Sequence, residues 1–153
     1  MRVTFFLSAA LIGAGLLSSG AAHAALGEGG AAVAADAARM RASTPVSQAM
    51  PSYVRHEFTT REGQEIHEYV NARGQTFAIA WRSTNTQPKL EVLLGEHYSE
   101  YLKQARSRVD QHHVLIMHTG TLNVEVRRLP RGFVGVATLP AMIPAGVSAG
   151  DLK

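Results

Sequence analysis

Two hydrophobic periods stand back to back between Gly74 and Arg106, and any fold of this chain has to satisfy both. Over residues 76–82, Phe77, Ile79 and Trp81 alternate with Thr76, Ala78, Ala80 and Arg82, the period of a strand with one buried face. A polar loop, Ser83 to Gln87, leads to Pro88, and proline suits a first helical position because its missing N–H has no intrahelical partner to lose. Leu90, Leu93, Leu94, His97, Tyr98, Tyr101, Leu102 and Ala105 then recur at helical spacing, a stripe that needs a surface to cover. Gly95 falls inside this stripe. Two readings suit it: a point of close approach, over Trp81, or a tolerated surface glycine.

The flanking segments read as strands. Tyr53 to Thr59 and Gln64 to Val70 are joined by Thr60-Arg61-Glu62-Gly63. If Thr59 faces Gln64, Val54 opposes Tyr69, His56 opposes His67 and Phe58 opposes Glu65, with Arg55 paired to Glu68 on the other face. A three-residue turn closed by Gly74 then sets Tyr69 against Phe77, His67 against Ile79 and Glu65 against Trp81. Both registers place Val54, Phe58, Tyr69, Phe77, Ile79 and Trp81 on one face. After the helix, His112 to His118, Leu122 to Arg127 and Phe133 to Leu139 form a second meander, with Leu115 aligned to Val124 and Met117 to Leu122. Gly135 inside the last strand marks a bulge or a close contact. The expected fold is α+β: two three-stranded antiparallel meanders flanking one long amphipathic helix, in the order β3-α-β3, with the helix packed on the sheet.

The chain opens with one arginine, a long apolar run and Ala22-His23-Ala24. That is the pattern of a secretory signal peptide over residues 1–24, cleaved after Ala24, and it predicts a periplasmic or secreted protein. No cysteine occurs, so the lipoprotein route is closed. Hydrophobic packing rather than disulfides must hold the fold, and thiol catalysis and thiolate metal sites are excluded. Residues 25–52 are an alanine-rich arm expected to be loosely held, 53–140 a single domain, and 141–153 an extended tail. No further apolar run is long enough to span a bilayer. The net charge of +3 falls by one when Arg2 leaves with the leader. Six of the basic and two of the acidic residues lie in 103–131. Arg127, Arg128 and Arg131 therefore form a candidate surface for an envelope protein or an anionic partner. These cations are not interleaved with aromatics, which argues against nucleic acid.

A set of short motifs runs along the mature chain: Ala25-Leu26-Gly27, Glu68-Tyr69-Val70, Gly74 with Phe77 and Trp81, Leu93-Leu94-Gly95, then Gly135-x-Ala137-x-Leu139-Pro140 and Pro144-x-Gly146-Val147. In this order they resemble a family of small exported proteobacterial proteins known as a domain of unknown function. Arg82-Ser83-Thr84 departs from the glycine-proline step common after the family's tryptophan. The resemblance implies a Gram-negative envelope address and brings no activity, cofactor or catalytic residue.

Motifs for chemistry are sparse. No serine lies in a nucleophile elbow, no glycine loop precedes a strand–helix unit suited to phosphate, and His67-Glu68 is not followed by a second histidine at zinc-protease spacing. Glu57, Glu65, Glu68 and Glu91 offer carboxylates, with nothing to select a pair. His56, His67 and His97 would converge between helix and sheet if both registers and the helix phase hold, which makes them candidate metal ligands. The expectation is nevertheless no metal, no cofactor and no catalytic residue. The leading reading is a non-catalytic envelope binding or accessory protein. The alternative is a small-ligand or metal-binding protein, with enzymatic activity possible, using a space lined by His56, His67, Tyr69 and His97.

Overall fold

The computed structural model describes residues 26–30, 33–107 and 114–152. The leader, its cleavage site and His112-His113 lie outside the described residues. Helix α1 (Val33–Arg39) is followed by strands β1 (Val46–Ala49), β2 (Tyr53–Thr59), β3 (Glu65–Asn71) and β4 (Thr76–Ser83). Helices α2 (Leu90–Leu94) and α3 (Tyr98–Ser107) come next, then β5 (Val114–His118), β6 (Asn123–Leu129) and β7 (Gly132–Thr138).

The seven strands form one antiparallel sheet in the order β1-β2-β3-β4-β7-β6-β5. This corrects the expectation of two three-stranded meanders flanking a long helix. The last strand, β7, pairs with β4 from Ala78↔Thr138 to Ser83↔Phe133, so the two halves share their hydrogen bonds instead of leaving two more edges open. Strand β1 adds the seventh member. All four of its residues are exposed, so it carries no alternation by which to recognise it. The helical run is not continuous either. Gly95 adopts φ +50° and separates α2 from a short 3-10 turn, Gly95–His97, that leads into α3. Its role is conformational, since a positive φ is the region that favours glycine.

The hairpin registers differ from expectation by one residue. Gly63 takes φ +76° in a tight turn in which the Thr60 N–H donates to the Gln64 carbonyl. Gln64 is buried, and its side-chain amide donates to the carbonyls of Thr86 and Gln87, which ties this turn to the loop before α2. Thr59 therefore faces Glu65, Val54 faces Val70, His56 faces Glu68 and Phe58 faces Ile66. A one-residue slip turns every side chain to the opposite face. Ile66 and Glu68 thus point towards the helices, while Arg55 pairs with Tyr69 rather than Glu68. Between β3 and β4 the register breaks at Tyr69/Val70, with Tyr69 opposite Ala78 and Val70 opposite Thr76. Phe77 is the extra residue of this bulge, which is why it parts from Ile79 and Trp81 despite their even spacing. The β5–β6 hairpin slips by two residues, Leu115 facing Val126 and Met117 facing Val124. A slip of two keeps the apolar face.

Two cores result. Phe58, Ile66, Ile79, Trp81, Val124, Val126 and Ala137 meet Leu90, Leu93, Leu94 and Tyr101 from the helices. The N-terminal segment joins them instead of hanging loose: Leu26, Val33, Ala37 and Met40 are buried in the same cluster. Leu26 and Gly27 donate backbone N–H groups to the carbonyls of Leu93 and Thr76 at 3.0 and 2.8 Å. Trp81 lies against Gly135, where a Cβ atom would strike the indole ring. On the other face Tyr53 meets Tyr69 and Phe77 edge-on and those two rings tilt against each other, with centroids 5.7 to 6.2 Å apart. The tail covers them through Met142, Ile143, Val147 and Leu152. Among the described residues, no helix is long and apolar enough to cross a membrane.

Candidate functional site

The tail covers only part of the sheet face opposite the helices. Beyond Leu152 a groove of about 610 Å³ is left open, within the size range of small-molecule sites. Its composition follows from strand alternation and the register. One row across the sheet runs Glu57, His67, Ala80, Val136, Glu125, and the next runs Glu65, Arg82, Val134, Arg127. The floor is therefore small and apolar, made of Ala80, Val134 and Val136 with Gly135 beneath. The rim is charged. Ala149, Gly150 and Leu152 of the tail close one side, and Arg55 stands beyond them.

The rim charges are unequally matched. Arg127 is held by Glu125 at 2.6 Å. Arg55 bonds the Gln48 side chain at 2.7 Å and stands 3.8 Å from Glu57, yet its Nε is buried without an acceptor. His67 Nε2 lies 3.6 Å from Glu57. Among the described residues, the side chain of Arg82 takes part in no hydrogen bond or ion pair. Glu65 is its cross-strand neighbour.

A second polar cluster lies inside the helix-side core. Glu68 is fully buried, and neither carboxylate oxygen has a hydrogen-bond partner. Burial, and then the negative charge of Asp36, push its pKa well above the ordinary carboxylate range. Asp36, also fully buried, is bound by Arg39 at 2.8 Å. His56 faces Glu68 across β2 and β3. Its Nδ1 meets Ser47 Oγ at 2.8 Å, and burial lowers its pKa. Serine and histidine so paired would need an orienting carboxylate to act as a nucleophile and base. The unbonded oxygens of Glu68 do not supply one.

The three candidate histidines are not brought together. His56 is on the helix side beside β1, His67 is in the groove on the far face, and His97 sits in the 3-10 turn within 4.0 Å of Glu96 and Glu100. Tyr69 has also moved to the tail side. No group of three or more histidine or acidic side chains positioned for a metal occurs among the described residues. The three arginines separate as well. Arg127 lines the groove, Arg128 lies over the Phe133 ring at 6.0 Å on the opposite face, and Arg131 is exposed at the β6–β7 turn.

The groove was missed in the sequence because its floor is made of residues that look merely permissive. The available signal was Ala78, Ala80 and Arg82 on one side of β4, with Val134 and Val136 two residues apart in β7. Asp36 was missed because the N-terminal segment offered little to bury.

Together these features define a helix-backed, seven-stranded antiparallel sheet protein with a ligand-sized groove on its outer face. The chain belongs to the family described as Protein of unknown function (DUF2844), whose profile matches residues 22–152. No curated protein and no solved structure matches it.

Proposed function

We propose that this is an exported, non-catalytic binding protein of the cell envelope, and that the groove beside Leu152 is its binding site. The groove carries this reading. A sheet face left open to water is ordinarily polar, whereas this one has an apolar floor under a charged rim. The leader at residues 1–24, with cleavage after Ala24, supports export to the periplasm or beyond. Intact-mass analysis of the exported fraction should show a chain beginning at Ala25; precursor mass confined to the membrane pellet would refute export. A photo-crosslinking side chain placed at Val136 should capture a component of an envelope extract that one at Lys103, exposed on α3 on the opposite side of the sheet, does not. Equal labelling from both positions would remove the groove from consideration.

A further inference from the structure

We propose that the groove takes an amphipathic organic anion, its acidic group on Arg82 and Arg127 and its apolar body on Ala80, Val134 and Val136 against Leu152. This rests on the groove being the binding site and names the class of ligand.

The register supplies the geometry. Arg82 and Arg127 are the immediate cross-strand neighbours of Val134, one on each side. With strands about 4.8 Å apart, their Cα atoms are about 10 Å apart across that valine, and two long arginine side chains on one face can converge from there on one carboxylate, sulfonate or phosphate. Arg127 is oriented in advance by its 2.6 Å pair with Glu125. Arg82 has no acceptor among the described residues. The groove's lining holds three guanidinium groups against the carboxylates of Glu65 and Glu125, with His67 and the exposed Glu57 nearby. At this end Glu125 is committed to Arg127 and Glu65 stands beside Arg82 without pairing to it, so the formal charges balance and the group left for an anion is the Arg82 guanidinium, which no carboxylate among the described residues holds. At the centre of the next row, between His67 and Glu125, stand Ala80 and Val136, apolar and partly or wholly withdrawn from water, and beyond them lies the buried side chain of Leu152. An acidic head at one end and an apolar surface running away from it suit a molecule with the same polarity. The groove's volume favours a single small molecule over a membrane surface.

The test compares two fluorescent probes of one shape on the mature protein: anionic anilinonaphthalene sulfonate and its neutral counterpart, phenylnaphthylamine. The anion should bind at least about tenfold more tightly, the usual effect of one charge-assisted contact. Its affinity should fall as salt is raised, and laurate or an aromatic carboxylate should displace it, displacement by neither refuting the anionic class. Arg82→Gln should weaken the anion about tenfold and remove the preference, while Arg131→Gln, outside the groove, leaves both unchanged. Val136→Trp, which fills the floor, should abolish both probes. Val134→Phe replaces it if the tryptophan variant loses its circular dichroism spectrum. If the probes bind equally and Arg82→Gln changes nothing while the floor variant still blocks both, the groove stands and the anionic class is refuted. If the floor variant leaves binding intact, the groove itself fails and the proposal with it. Displacement by laurate but not by an aromatic carboxylate would assign the ligand to the fatty-acid type, and the reverse to the aromatic type.

Discussion

Replacing Glu68 by glutamine should shift stability progressively in favour of the variant as the pH rises. The side chain is fully buried with both oxygens unbonded, and the charge of Asp36 lies close enough to raise its pKa further. A carboxyl group whose folded pKa lies above its unfolded value of about 4.5 favours folding only while protonated. Its contribution is complete below the unfolded value and is lost as the pH climbs to the folded one. Across that interval the wild type should lose up to about 1.4 kcal/mol per pH unit relative to a variant that cannot ionise. Glutamine keeps the shape and offers an N–H₂ donor near the Asp36 carboxylate, whose Oδ2 is unbonded. The two proteins should therefore be nearly equal near pH 4.5, apart from the roughly 1–3 kcal/mol that an imperfectly bonded buried amide can cost. By pH 8 the variant should be the more stable. Urea unfolding followed by Trp81 fluorescence between pH 4.5 and pH 8 reads this directly. A gap that stays constant across the range would mean that Glu68 does not change its protonation on unfolding. A stability difference that moves in favour of the wild type as the pH rises would reverse the argument. Asp36→Asn should flatten the wild-type profile, since it removes the second cause of the shift.

Two further substitutions test the packing by thermal melting. Gly135→Ala should destabilise by about 1–3 kcal/mol, because the added Cβ meets the Trp81 indole ring and forces overpacking; a variant as stable as wild type would mean that the ring is not seated on that strand. Leu26→Ala should cost about 2–5 kcal/mol, the range for a buried leucine, since the side chain is wholly inside the core; a change below about 0.5 kcal/mol, as at exposed sites, would restore the picture of a loose arm.

Much of the local structure was legible in residue order. Alternation from Tyr53 to Thr59 and from Thr76 to Arg82 lies within strands β2 and β4, and the leucine stripe lies within α2 and α3. These are short-range patterns, set by which side chains one strand or one turn of helix can place together. Strand β1 was not legible, because Val46 to Ala49 are all exposed and no period marks them. Glycine punctuation was visible, but its meaning was not. Gly95 and Gly135 looked alike as candidates for close approach. Only the first has a positive φ, and only the second sits against Trp81.

Which face each side chain occupies depended on longer-range contacts. The buried Gln64 amide, anchored to the carbonyls of Thr86 and Gln87, accompanies a register one residue from the expected one, and the bulge at Phe77 shifts it again. A single step along a strand exchanges the two faces. It moved Glu68 from a surface pair with Arg55 into the core beside Asp36, and it moved His67 and Tyr69 away from His56. The groove depends on the same contacts. Arg127 and Val134 face each other within one hairpin, but Arg82 is far from both in the chain, and the three form one row only because β7 lies between β4 and β6. Strand composition favours pairing in general but does not choose partners across so many residues. That choice came from burying both faces of one sheet at once, with the helices on one side and the tail on the other.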